Sequence, residues 1–208
     1  MPSPRLDSPL QSSAEATAKG IPEVLQIIIQ GRGGQGAQTA GNLLALAHFA
    51  QGKHVQCFAS YGGARRGTPV SSYLRVDERP VRLRCDIECA DAILCFDASL
   101  LEGRLLATAT AQTQILVNSA LGADHYARIL PGYRVIPVDG LAIARRHGLG
   151  RIVNSALLGA FARALGTPSL AQLARTLVAH SPKMHDQNIA ACEDGYHRVD
   201  EQLRGVCA

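Results

Sequence analysis

Residues 24–36 read VLQIIIQGRGGQG, and residues 37–50 continue as AQTAGNLLALAHFA. The opening VLQIIIQ is a short β-branched run bounded by glycine, which reads as a buried strand. GRGGQG is a glycine loop. In the stretch after it, Ala37, Ala40, Leu44 and Ala47 recur at spacings of three and four, so a helix there has one small, apolar face. Strand, glycine loop and helix in this order fit the dinucleotide fingerprint, with Gly31, Gly33 and Gly36 at the required spacing. Glycines remove side chains, so backbone can approach a phosphate. The helix that follows aims unpaired N–H groups at the anion. A tight strand–helix turn packed on a partner is the plainer reading of the same residues.

Outward from this unit, residues 54–60 form a second strand, and residues 61–68 (YGGARRGT) form a loop with two arginines. Residues 69–76 read as a strand and residues 81–84 alternate, with Asp77, Glu78, Arg79 and Pro80 between them suggesting a hairpin or a tight connection. Strands are expected at 92–96, 114–117 and 133–138, followed by Asp97, Asn118 and Asp139 respectively. Helices are expected near 153–164, 168–179 and 182–203. Thr167 and Ser181 each offer a capping hydroxyl before a proline at the first helical position. Gly195 weakens the last helix and could split it. Strands alternating with helices predict an α/β fold: three layers, with a mostly parallel, Rossmann-like sheet carrying helices on both faces. Ligands of such sheets sit beyond the carboxyl ends of the strands, where both glycine loops and the three polar strand ends would gather.

The chain has 208 residues, 47% of them hydrophobic but only 4% aromatic, with no Trp. That predicts an aliphatic, Ala-rich core and excludes global disorder and small disulfide scaffolds. Residues 1–20 read as a mobile or extended tail, with a single domain over 21–208. The tail has no apolar core of a signal peptide, and the two long uncharged stretches (33–52 and 105–123) are too polar for a lipid-facing helix. A cytoplasmic protein with reduced cysteines and no membrane contact is expected.

Twenty-one Lys and Arg against 17 Asp and Glu leave a net charge of +4. Between Val24 and Val76 there is no acidic residue, while Arg32, Lys53, Arg65, Arg66 and Arg75 give +5. An NAD site needs an acid about 20 residues after the glycine loop to hold the ribose. Its absence favours a ligand with several phosphates, and an NAD(P)-binding Rossmann dehydrogenase stands as the alternative. Arg65 and Arg66, set between Gly63 and Gly67, can hold phosphate oxygens bidentately or pair with acids of another chain. Tyr61 can stack on an adenine or meet another subunit. A nucleic-acid partner is not expected, given few aromatics and no reading motif.

Taken together these segments resemble the γ subunit, or γ domain, of the 2-oxoacid:ferredoxin oxidoreductases of the pyruvate and ketoisovalerate type. The resemblance runs in order through GRGGQG, YGGARRGTPV with SSYLRV, residues 93–101 with Asp97, VNSALL at 153–158, and NIAACEDGY at 188–196. It implies a subunit of an enzyme that converts a 2-oxoacid and coenzyme A to acyl-CoA and CO₂, passing electrons through iron–sulfur clusters. It further implies that this chain helps bind CoA and packs near the thiamine diphosphate site. Gly31, Arg32, Gly33, Gly34, Gln35 and Gly36 would face CoA or the thiamine pocket, Arg65 and Arg66 would pair with CoA phosphates, and Asn154 would donate a hydrogen bond to CoA.

The covalent machinery of that reaction is not expected on this chain. A thiamine site of the family's kind needs a GDG…N pattern, which the sequence lacks. Cys85, Cys89 and Cys95 stand at C-x₃-C-x₅-C, unlike a cluster-binding run, and read as buried small hydrophobes. No catalytic or metal-ligating residue is assigned; thiamine diphosphate, Mg²⁺ and [4Fe–4S] clusters would reside on partner subunits, with ferredoxin or an NAD-reducing subunit as acceptor. His180 and His185 read as surface or capping residues, and Asp97 and Asp139 as turn caps or ligand contacts.

Overall fold

In the computed structural model, which describes residues 24–63, 67–181 and 183–206, β1 (Leu25–Arg32) lies in the middle of the sheet. Ile27 and Ile29 belong to the core on one face and Ile28 to the core on the other, each at most 2% exposed. A continuous β-branched run is what burial on both faces demands. The other strands are β2 (His54–Tyr61), β3 (Pro69–Asp77), β4 (Ala90–Cys95), β5 (Ala109–Asn118) and β6 (Arg134–Val138), in the spatial order β2-β3-β1-β4-β5-β6. Only β3 runs against the rest: it pairs antiparallel with β1 and β2, whereas β1–β4, β4–β5 and β5–β6 are parallel. The α/β, mostly parallel architecture expected from the sequence is therefore present.

One face of the sheet is covered by α1 (Ala37–Phe49), α4 (Gly140–Arg146), α5 (Asn154–Leu165), α6 (Leu170–His180) and α7 (His185–Val206). Among the described residues the other face carries α2 (Gly103–Ala107), α3 (Ala123–Ile129), the segment around Ile87 and Leu100–Leu101, over Ile28, Ile93, Ile115 and Val117. The short helices α2, α3 and α4 carry too few turns for a clear 3.6-residue period, so pattern reading passed over them.

The expected hairpin over residues 77–84 does not form. β3 already has β1 on one edge and β2 on the other, so residues 81–84 have no free edge to pair with despite their alternation. They run instead as an irregular strap. Arg75 fastens its far end: this side chain is 2% exposed and donates to the backbone oxygens of Cys85 (2.8 Å) and Asp86 (3.2 Å).

The helix caps also shift from expectation. Ser169, not Thr167, caps α6, its hydroxyl accepting from Gln172 N–H at 3.3 Å. α7 begins at His185, beyond Ser181; Pro182 lies outside the described residues.

Gly195 does not split α7. It lies where α7 crosses α5, and a β-carbon there would fall 2.0 Å from Ala156 O; one on Gly159 would fall 1.9 Å from Cys192 O. Two glycines thus let the helix backbones touch, which offsets their cost within helices. Ser155 Oγ donates to Asn188 Oδ1 (2.6 Å) and Arg163 pairs with Asp200 (2.6 Å) across the same contact. Among the described residues no helix is long and apolar enough to cross a membrane.

Gly195→Ala should cost about 3 kcal/mol by overpacking a rigid backbone contact, read as a lowered denaturant midpoint. An unchanged midpoint would show that the helices separate freely. A second expectation concerns His48, 1% exposed on α1, whose ring nitrogens have no hydrogen-bond partner among the described residues. Burial first, and then the Lys53 charge, push its pKa from 6.5 down to about 4. The unfolded chain takes up this proton below 6.5 and the folded chain refuses it until about 4. Stability is whole above that window and falls by about 3 kcal/mol as pH drops through it. His48→Leu should flatten this part of the pH–stability curve; parallel curves for the two proteins would exclude the effect.

Candidate functional site

The carboxyl ends of β1, β2, β4, β5 and β6 share one edge of the sheet, and β3, being reversed, begins there. Register brings Gly31 opposite Val70 and Arg32 opposite Pro69, while Tyr61 also faces Val70. The glycine loop and the β2–β3 loop are thereby held side by side, and Gly33 N–H donates to Thr68 O across the gap (2.9 Å). Between them lies a cavity of about 810 Å³ lined by residues that include Arg32, Gly33, Gly34, Gly36, Gln38 and Tyr61.

Helix α1 opens toward this cavity without a side-chain cap, from Gly36 in the left-handed region (φ 90°), and has no acid in its first turn. Among the described residues the N–H groups of Gly34, Gly36, Ala37, Gln38 and Thr39 make no hydrogen bond. Five unpaired donors and the positive end of the helix dipole suit an anion. Gly34 has φ 95°, and a β-carbon on it would meet no protein atom within 4 Å. Tyr61 is 58% exposed, and its hydroxyl donates to Gln38 Oε1 at 2.5 Å. That bond fixes the ring at the cavity wall, a partnership no spacing rule announces.

Asn154 is brought to the glycine loop but from beneath. Its Nδ2 donates to Gly36 O (3.3 Å), and a β-carbon on Gly36 would sit 2.5 Å from that nitrogen. Its contact is therefore with the loop that lines the cavity. Arg65 and Arg66 lie outside the described residues.

Of the described cations in the positive window, two lie away from the cavity. Arg75 is buried under the other face of the sheet, and Lys53 pairs with Glu78 at the opposite edge. Arg32 remains at the cavity, but it is paired: Nε donates to Asp97 Oδ2 (2.9 Å), Nη2 to Ser99 Oγ (2.8 Å) and Nη1 to Gly67 O (3.2 Å). Gln35 is held at both ends of its amide, by Arg32 N–H (2.7 Å) and by Asp97 Oδ2 (3.2 Å). Asp97 also accepts from Ser99 N–H (3.1 Å) and Oγ (2.6 Å) on its other oxygen. Partial burial opposes its charge, but bonds from Ser99, Gln35 and Arg32 outweigh that and hold the carboxyl below its ordinary range. Sequence reading placed Asp97 at this edge and missed its joining of Arg32 to Gln35, because the pairing spans 65 residues.

Asn118 and Asp139 serve the backbone. Asn118 bridges Phe96 O and Gly140 N–H (3.1 and 3.0 Å), and Asp139 caps α4 through Ala142 N–H (2.8 Å). Cys95 is buried, with a thiol that burial pushes up to about 12, while Cys85 and Cys89 are exposed, correcting the expectation that all three are buried. Among the described residues no three His, Cys, Asp or Glu side chains come together as a metal site.

The family profile described as pyruvate ferredoxin/flavodoxin oxidoreductase matches residues 26–198. The chain belongs to this family. Within the pyruvate ferredoxin/flavodoxin oxidoreductases it is of the γ-subunit type. It is 33% identical over 177 residues to the pyruvate synthase subunit PorC of Methanocaldococcus jannaschii, covering 85% of this chain and 97% of that protein. It is also 33% identical over 184 residues to the common γ subunit of the pyruvate/ketoisovalerate oxidoreductases of Thermococcus kodakarensis, with 85% and 97% covered. The crystal structure of the Thermotoga maritima pyruvate oxidoreductase subunit PORC superposes with a TM-score of 0.73 at 28% identity, covering 84% of this chain and 96% of that one. The fold recurs in the 2-oxoglutarate:ferredoxin oxidoreductase of Magnetococcus marinus, solved with 2-oxoglutarate, coenzyme A and succinyl-CoA bound (TM-score 0.72, 20% identity), covering 86% of this chain and 31% of the larger one. The relatives of this oxidoreductase chain are subunits of multi-subunit complexes, as their names state.

Proposed function

We propose that this γ-type chain holds coenzyme A for a 2-oxoacid oxidoreductase and packs near the thiamine diphosphate site of a partner subunit. The observation that carries the reading is the cavity of about 810 Å³ between the two loops, where five backbone N–H groups at Gly34 and the start of α1 have no partner among the described residues. A pyrophosphate is the anion such a row of donors suits. Arg65 and Arg66 lie in sequence between Gly63 and Thr68, which line the cavity, and this reading assigns them to the phosphates. Tyr61 offers a fixed ring face for the adenine. The 2-oxoglutarate enzyme that shares this fold binds CoA, in agreement with the assignment.

Thiamine diphosphate with Mg²⁺, on a partner subunit, supplies the electron sink for decarboxylation, and [4Fe–4S] clusters there carry the electrons to ferredoxin or to an NAD-reducing subunit. The residues of this chain bind the carrier, orient it and exclude water from its phosphates. The protein works in the cytoplasm under this reading. The dehydrogenase alternative is disfavoured by topology as well as by the missing acid. In the usual dinucleotide fold β1 and β2 are neighbours, whereas here β3 separates them.

The test uses the assembled complex. Replacing both Arg65 and Arg66 by Ala, or Gly34 by Val, should raise the KM for CoA at least about tenfold. The KM for the 2-oxoacid should stay within about twofold. If the KM for CoA is unchanged in both variants, the cavity is not the CoA site.

A further inference from the structure

By charge alone, Asp97 is out of place. It lies at the end of β4 beside a crevice suited to phosphates, where a free carboxylate would repel the ligand. Its contacts resolve the conflict. Each carboxylate oxygen is occupied by two donors: Arg32 and Gln35 on Oδ2, and the Ser99 amide and hydroxyl on Oδ1. Both residues on Oδ2 come from the glycine loop. Arg32 reaches onward to Gly67 O at the base of the β2–β3 loop and to Ser99 Oγ. One carboxylate thus underlies contacts among three segments that are far apart in sequence. A guanidinium carries five N–H groups; three are used here, leaving two on a side chain that lines the cavity.

We propose that Asp97 is a positioning residue for the phosphate-bearing ligand: through Arg32 and Gln35 it fixes the glycine loop against the β2–β3 loop and turns the two spare Arg32 N–H groups toward the phosphates. This rests on the CoA reading of the cavity. The ion pair is neutral overall, so its contribution is geometric: it sets the width of the gap and the plane of the guanidinium before the ligand arrives. Ser99 takes part, since its hydroxyl bridges the carboxylate and the guanidinium.

The experiment compares Asp97→Asn, Ser99→Ala and Gly34→Val in the assembled complex, each checked for wild-type cofactor content and melting temperature. Asp97→Asn should raise the KM for CoA about tenfold, the size expected for a lost charge-assisted hydrogen bond. The kcat at saturating CoA and the KM for the 2-oxoacid should stay within about twofold. Ser99→Ala should raise the KM for CoA about threefold and carries the same test if Asp97→Asn does not assemble. Repulsion and positioning predict opposite signs. A lowered KM for CoA in Asp97→Asn would mean the carboxylate only repels the ligand, and the proposal would be wrong. An unchanged KM in Asp97→Asn and Ser99→Ala, with a raised one in Gly34→Val, overturns the positioning role and leaves the CoA site standing. No change in any of the three removes both.

Discussion

The ladder between β1 and β3 is the constraint on which the site depends. Because β3 runs antiparallel between β1 and β2, its first residue lies at the edge where β1 and β2 end. Arg32 is paired with Pro69, and Tyr61 and Gly31 both face Val70. Two loops separated by 25 residues or more in sequence are therefore walls of one crevice. In an all-parallel sheet the connection after β2 would have to cross a whole layer before the next strand. Here a hairpin suffices, and its loop stays at the edge where the parallel strands end.

Electrostatics at that edge is divided between groups that arrange and groups that remain unpaired. Arg32 and Asp97 neutralise one another while bridging segments. Among the described residues the uncapped start of α1 leaves its N–H groups unpaired, with no acidic side chain in the first turn to compete for them. Partial charges of backbone donors are fixed by the helix and need no side-chain ordering when an anion arrives. Such an arrangement suits an anion.

Much of this could be read from the chain. The run of isoleucines in β1, the glycine loop and the small-residue face of α1 are local signals, and each element lies within one or two residues of its expected bounds. The polar strand ends Asp97, Asn118 and Asp139 also gather at one edge. What sequence could not convey was non-local. Alternation at residues 81–84 is a strand signal, but strand formation needs a free neighbouring edge, and both edges of β3 are taken. Gly195 carries a helix-breaking tendency, but tertiary contact with Ala156 overrides it. The excess of positive charge over residues 24–76 is not gathered whole in space, since Arg75 and Lys53 lie away from the edge where the parallel strands end. Linear charge windows report no direction, and alternate residues of a strand point to opposite faces.

The same non-local logic ties the core to the crevice. Gly36 adopts a left-handed conformation that leaves no room for a β-carbon above Asn154, and Asn154 is the first residue of α5. The depth at which α5 sits is set by its glycine contact with α7, where Ala156 and Gly195, and Cys192 and Gly159, touch backbone to backbone. Asn154 is only two residues from Ala156. A side chain added at this crossing must displace α5, and any displacement is delivered to the amide that holds Gly36 O. Close packing transmits such shifts because it leaves few voids to absorb them. The glycine loop is thus held on one side by Asp97 through Arg32 and Gln35, and from beneath by a helix whose position depends on two distant glycines. Backbone N–H groups that have no partner among the described residues cannot hold the loop in place, so its position has to come from side chains behind it.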